Sequence, residues 1–128
     1  MTDTELVNLI AEKIMGWEII HDKNYCESVG AFLYIDNNGN KHFMKYDMPN
    51  VYSGEVGFDP LNNYEDAFQI IDRMQYLGWN WSIENVDYPE IAVIATFLKP
   101  QEEIVFCEIS STVHRSICLA SFATIENK

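Results

Sequence analysis

The chain has 128 residues, of which 48% are apolar and 13% aromatic, and its 20 acidic residues outnumber its 8 basic residues. This composition excludes a disordered chain, and the length predicts a single globular domain over residues 1–128. The formal charge of −12 disfavours nonspecific nucleic-acid binding and docking to an anionic membrane, because both require lysine and arginine. A small anionic ligand in a local pocket stays compatible with this charge, since it needs only a few donors.

The features of the chain that bear on its location, its N-terminus and its cysteines, predict a cytoplasmic protein. No apolar stretch reaches the roughly 18–20 residues that span a bilayer, and the acidic start MTDTELVNLI is unlike a signal peptide. The three cysteines, Cys26, Cys107 and Cys118, contain no C-x-x-C pair. We therefore expect buried reduced thiols, and neither a disulfide framework nor a cofactor is predicted.

The first predicted helix runs from Thr2 to Gly16. Thr2 and Glu5 have the spacing of a capping box, and a glycine is a common helix end. Its apolar face consists of Leu6, Val7, Ile10, Ile14 and Met15.

Residues 31–46 predict a β-hairpin. Asn38-Gly39 is typical of a two-residue type I′ turn. With that loop, Asp36 pairs with Lys41, Tyr34 with Phe43, and Leu33 with Met44. One face then carries Phe32, Tyr34 and Phe43, and the other carries Leu33, Ile35 and Met44. Both faces are apolar, so we expect helices on each side of the sheet.

A loop over residues 47–61 precedes the second predicted helix. That helix starts at Asn62 or Asn63 as N-cap, carries Glu65 and Asp66 in its first turn, and ends at Gly78. Its buried stripe consists of Ala67, Ile70, Ile71, Met74 and Leu77.

Three further strands and a last helix complete the chain. Residues 79–84 alternate between apolar and polar side chains, with Trp79, Trp81 and Ile83 pointing inward. This pattern is typical of a half-buried strand near a sheet edge. Residues 91–98 are apolar at nearly every position and predict a central strand with both faces covered, followed by a strand over 103–109. The last helix runs from Val113 to about Glu126 and is capped by Ser111 or Thr112. Its inner positions are Val113, Ile117, Ala120 and Thr124, with Ser116 and Ala123 beside them.

The element order αββαβββα predicts the α+β class. Antiparallel hairpins with helices on both faces give a three-layer α-β-α sandwich, with three helices and a largely antiparallel sheet of about five strands.

Three motifs together resemble the phage ABA sandwich domain family of Bacillus phages and prophages. They are IAEKIMGWE (10–18), FDPLNNYEDAFQIID (58–72) and VHRSICLASFATIE (113–126). The chain departs from the family at Val113-His114, where Ala-Pro is common, and at Ser121, which replaces an alanine. The resemblance implies the three-layer fold and a phage or prophage gene acting in a host bacterial cell. It implies no catalytic residues.

Enzymatic and metal-binding patterns are weak. The chain lacks G-x-S-x-G and a P-loop. Cys118 and His114 share a helix face, but Cys118 lies in an apolar stretch and no acid can be assigned to orient the histidine. His114, His42, Cys107 and Cys118 have no recognised zinc spacing, and the acids after Asp59 lack the EF-hand order. We predict a non-enzymatic protein without a metal.

The start of the last helix is the candidate ligand site. A first helical turn leaves N–H groups unpaired, and Arg115 adds a fork suited to phosphate. The predicted site residues are Arg115, His114, Thr112, Ser111, Asn62 and Trp17. In this acidic chain, an ordinary cap with an Arg115 salt bridge is the alternative interpretation.

Three functions are compatible with these patterns, and the nucleotide signal named in the first comes from an analogy with small phage proteins that sequester such signals. The first is a phage accessory protein that binds a small anionic ligand, with sequestration of a nucleotide signal of host antiviral defence as its anti-defence role. The second is an acidic interaction module that inhibits a host protein, and the third is a nucleotide-directed enzyme. A homo-oligomer is compatible with each of them.

Overall fold

The computed structural model describes residues 2–20, 31–45, 56–87 and 92–126. These residues form three α-helices, seven β-strands and one short 3-10 helix, which confirms the α+β class and the number of helices. In chain order the elements are α1 (Asp3–Lys13), β1 (Glu18–Ile20), β2 (Ala31–Ile35), β3 (Lys41–Lys45), β4 (Val56–Gly57), α2 (Tyr64–Tyr76), β5 (Asn80–Val86), β6 (Ala92–Lys99), the 3-10 helix (Pro100–Glu102), β7 (Ile104–Ser110) and α3 (Val113–Glu126).

The strands form two sheets, of order β1-β2-β3-β4 and β5-β6-β7. The sequence predicted about five strands in one sheet, so the strand count and the single sheet were wrong. The unpredicted strands, β1 and β4, are only 3 and 2 residues long. Such short strands carry no periodicity, and they form because β2 and β3 offer open edges. β3 and β4 are parallel, and the other neighbouring strands are antiparallel.

The helix boundaries follow the predicted caps. The Glu5 N–H donates to the Thr2 hydroxyl (3.1 Å), and the Asp66 N–H donates to the Asn63 side-chain oxygen (3.1 Å). Gly16 and Gly78 end the first two helices with φ of 73° and 97°, values that strain other residues. Leu77 was wrongly placed in the buried stripe, because it lies at the C-cap and is 40% exposed.

The hairpin turn contains three residues instead of two. Tyr34 pairs with His42 and Leu33 with Phe43, one position away from the predicted register. A type I′ turn needs positive φ at both central residues, whereas in this turn only Gly39 has it (84°). Asp36 favours the longer loop, because its side chain accepts hydrogen bonds from the N–H groups of Asn38 and Asn40 (2.9 Å each).

Strand β6 is the central strand of its sheet, as predicted. Its residues alternate between buried and half-buried, so one face is covered more completely than the other. Trp81 lies opposite the buried Phe97, yet it is 38% exposed because β5 is an edge strand. The expectation that Trp81 is buried was therefore wrong, and full coverage of both faces of β6 was overstated.

One core connects the helices with both sheets. Helix α3 packs on β6 and β7, and α1 and α2 pack against α3. The Tyr34 hydroxyl donates to the Asn8 side-chain oxygen (2.5 Å), which ties the first sheet to α1. Among the described residues, no helix is both long enough and apolar enough to cross a bilayer. The predictions for Cys26, residues 47–55 and Ile91 lie outside the described residues.

Candidate functional site

Thr112 is the N-cap of α3. The Arg115 N–H donates to the Thr112 hydroxyl (3.2 Å), and the Ser116 N–H donates to the Thr112 carbonyl (3.2 Å). Of the two predicted caps, Thr112 therefore takes this role, and Ser111 precedes it as an exposed residue. The Ser116 hydroxyl donates to the Val93 carbonyl (2.7 Å), which fixes the start of α3 on β6.

Arg115 forms a two-pronged salt bridge with Asp3, the first residue of α1. Its two terminal nitrogens lie 2.9 and 3.4 Å from the two carboxylate oxygens. Hydrogen bonding to Asp3 raises the pKa of Arg115, so the guanidinium stays charged. The Arg115 side chain remains 43% exposed and that of Asp3 61%. The structure thus contains the salt bridge that the acidic composition predicted, and the pair stays accessible.

His114 lies against Tyr64, the first residue of α2. The ring centroids are 3.9 Å apart, with 34° between the planes. Tyr64 is 58% exposed, whereas the Nε2 atom of His114 is buried and has no hydrogen-bond partner among the described residues. A buried ring nitrogen without a partner costs free energy, so this atom is the least satisfied polar group of the site.

Two buried carboxyl groups, Asp59 and Asp66, lie at the start of α2. Asn62 donates to both oxygens of Asp59 (3.1 and 3.2 Å), and the Asp59 N–H donates to Asp66 (2.8 Å). Burial raises the pKa of Asp59, against the opposing effects of Asn62 and the nearby charge of His114. Burial also raises the pKa of Asp66, partly offset by the Asp59 N–H and reinforced by the Asp59 charge.

Trp17 belongs to a different cluster. Its indole stacks on the His42 ring (4.3 Å between centroids) and meets Phe58 edge-on (4.8 Å). Only 7% of Trp17 is exposed, so it offers no open ring to a ligand. His42 pairs with Asp36 (2.9 Å); burial alone would raise the pKa of Asp36, but the hydrogen bond from His42 and those from Asn40 and Asn38 lower it.

Four of the six predicted residues therefore lie at the start of α3, whereas Asn62 binds Asp59 near His114 and Trp17 lies in another cluster. Three further neighbours of this site were not predicted from the sequence: Asp3, Asp59 and Tyr64. Asp59 and Tyr64 flank the predicted Asn62, so their closeness to it could have been read from the chain. Asp3 is 112 positions from Arg115, and no local pattern predicts that contact.

The donors at this site suit an anion better than they suit catalysis. Burial raises the pKa of the Cys118 thiol far above neutral, so this sulfur is a poor nucleophile. Among the described residues, no three His, Cys, Asp or Glu side chains come together as a metal site. The arrangement can instead present a guanidinium and first-turn N–H groups to one ligand.

Comparisons with known proteins agree on the fold. The family model described as the phage ABA sandwich domain matches residues 8–122. A crystal structure of a phage protein from Bacillus cereus ATCC 14579 is similar with a TM-score of 0.61 and 20% identity, over 98% of this chain and 89% of that one. That identity indicates a shared fold alone, and the family's description agrees with the predicted three-layer sandwich. No curated protein matches the chain.

Proposed function

The chain belongs to the phage ABA sandwich domain family, and we propose that it is a phage accessory protein that binds a small anionic ligand without chemically changing it. The proposed ligand is a nucleotide signal of host antiviral defence, and its removal by binding would protect the phage. The observation that carries this proposal is that the N-termini of three helices lie in contact.

The first turns of all three helices are in contact. Asp3 begins α1, Tyr64 begins α2, and His114 and Arg115 are the second and third residues of α3. The Arg115–Asp3 and His114–Tyr64 contacts join these turns. Each turn leaves N–H groups unpaired and carries a partial positive charge, which offsets part of the negative charge of the first-turn acids Asp3, Glu5, Glu65 and Asp66.

The Arg115–Asp3 salt bridge is weak enough for a ligand to replace. Both side chains are exposed, and exposed ion pairs contribute about 0–1 kcal/mol to stability. A phosphate with two negative oxygens offers the same fork geometry as the Asp3 carboxylate, with greater charge. Asp3 therefore holds Arg115 in the orientation that a phosphate would use.

Exposed aromatic rings beside the site favour a nucleotide over a simple inorganic anion. Tyr64 is followed one turn later by Phe68, which meets Trp81 edge-on (6.5 Å between centroids). Tyr64, Phe68 and Trp81 are 58%, 37% and 38% exposed, so each has ring surface open to a ligand. Stacking of a base on such rings adds about 1–3 kcal/mol per base.

Titration calorimetry with a panel of linear and cyclic nucleotides tests this function, with inorganic phosphate as a separate ligand. We expect at least one nucleotide to bind more tightly than phosphate and to be recovered unchanged. Arg115→Ala should abolish binding. Lys13→Ala is the matched control, because it also removes an exposed cation but lies at the far end of α1.

An acidic interaction module is the second candidate, favoured by exposed acids on several elements, such as Glu18, Glu84 and Glu102. This function predicts that no nucleotide of the panel binds. It also predicts that a basic host protein co-purifies with the chain at low salt and dissociates at high salt.

A further inference from the structure

Strand β7 is an edge strand without the usual protection against pairing. Among the described strands only β6 pairs with it, and their register runs unbroken from Ile104 to Ser110. Edge strands are normally protected by lysine, proline or a bulge, and the sequence IVFCEIS has none of them. Its single charged residue, Glu108, lies opposite the buried Ala95 and is itself only half exposed. Within the described part of the chain, the outer edge of β7 therefore remains open along an uninterrupted strand.

The outer face of β7 is apolar and exposed. Val105 is 62% and Ile109 57% exposed, and the exposed Cys107 lies between them on the same face. On β6 this face continues with Ile94 and Leu98, which are half buried. No charged residue of β6 or β7 lies on this face, although the chain carries a formal charge of −12. On β5 the same face carries the exposed Glu84, opposite Ile94. The apolar surface is therefore confined to β6 and β7, and exposed apolar surface of this kind on an acidic protein marks an interaction surface.

We propose that β7 pairs antiparallel with β7 of a second copy of this chain, with the two-fold axis at Cys107. This pairing joins two three-stranded sheets into one sheet of six strands. A two-fold contact uses the same surface on both copies, so the strand must complement itself. Cys107 is the middle residue of β7, and centring the pair there engages the whole strand.

The residues of β7 are complementary to those of a second β7 strand in this antiparallel register. In this register Val105 lies opposite the partner's Ile109, and Cys107 lies opposite the partner's Cys107. Glu108 lies opposite the partner's Phe106, so the two like charges do not face each other. A basic host protein would find no acid on the outer face of β6 and β7. A second copy instead places Val105 beside the partner's Ile109 on a continued apolar face, which favours a second copy as the occupant.

Sedimentation equilibrium of three proteins at one concentration tests the proposal. The wild type and Cys107→Ser should both be dimers, because serine keeps the strand intact and uncharged. Cys107→Lys should be a monomer with the circular dichroism spectrum of the wild type, since two like charges would face each other across the axis. A monomeric wild type, or a dimer that survives Cys107→Lys, overturns the proposal.

Oxidation of the Cys26→Ser variant tests the register. Residues directly opposite each other in antiparallel strands have Cα atoms about 4.5–5.5 Å apart, which a disulfide can bridge. Diamide accepts the two thiol hydrogens as the sulfur–sulfur bond forms. We expect a covalent dimer that is absent when Cys107→Ser is added, because Cys118 is buried. A dimer that diamide does not link would show that the contact lies elsewhere.

Discussion

The rings of His114 and Tyr64 lie in contact, with centroids 3.9 Å apart, although the two residues begin different helices. This contact brings the N-terminus of α2 to that of α3, and the Arg115–Asp3 salt bridge adds the N-terminus of α1. The candidate site therefore depends on how three helices pack. Each helix contributes only one or two of its side chains.

Thr112→Ala should lower the free energy of unfolding by about 1 kcal/mol, because the Arg115 N–H loses its side-chain acceptor. Urea denaturation measures this change. Ser111→Ala is the matched control, since Ser111 is exposed and lies outside the cap. Equal losses in both variants would contradict the assignment of Thr112 as the N-cap.

The Arg115–Asp3 pair should contribute little to stability. Arg115→Ala, Asp3→Ala and the double variant form a cycle whose coupling free energy should be below about 1 kcal/mol, because both side chains are exposed. Thermal or urea unfolding of the four proteins gives the value. A coupling of several kcal/mol would mean that the salt bridge is structural, and that a ligand could not readily displace Asp3.

Asp66→Asn should change how stability depends on pH. Because burial raises the Asp66 pKa above 3.8, the folded state binds more protons than the unfolded state. Its contribution is therefore complete below pH 3.8 and is lost as pH rises through the raised pKa. The stability of Asp66→Asn relative to wild type should thus increase from about pH 4 to pH 7.

Urea titrations across this range test the Asp66 prediction. Asp72→Asn, an exposed change on the same helix, is the matched control. A relative stability of Asp66→Asn that stays flat or falls with pH would contradict a raised pKa.

Ser116→Ala should cost about 1–2 kcal/mol of unfolding free energy, because the buried Val93 carbonyl loses the Ser116 hydroxyl. Ser121→Ala is a matched control, since Ser121 is equally buried but donates to the Cys118 carbonyl within its own helix. We expect a smaller loss for Ser121→Ala. The reverse order would show that Ser116 does not fix α3 to β6.

The sequence rules for helix caps predicted the ends of the helices well. Thr2, Asn63, Thr112, Gly16 and Gly78 act where sequence rules place them, because caps depend on neighbours a few residues away. The same rules gave the wrong loop length at Asn38-Gly39. There the Asp36 side chain stabilised a longer turn, and every pairing moved by one residue.

The candidate site was only partly predictable. The residues from Ser111 to Arg115 are adjacent in the chain, so the helix-start rule found them together. Trp17 was assigned by ring type alone, and its burial on His42 depends on packing between β3 and the segment after α1. The Asp3 partner of Arg115 depends on the packing of α1 against α3. Such contacts join distant parts of the chain and leave no periodic pattern.

Native mass spectrometry of the protein purified from bacteria that express a nucleotide-producing antiviral defence tests the central claim most directly. Wild type and Lys13→Ala should retain a small added mass with the fragmentation of a nucleotide, and Arg115→Ala should lose it while remaining folded. An unliganded wild type from those cells, or an added mass that persists in Arg115→Ala, would contradict an anion site at the meeting point of the three helices.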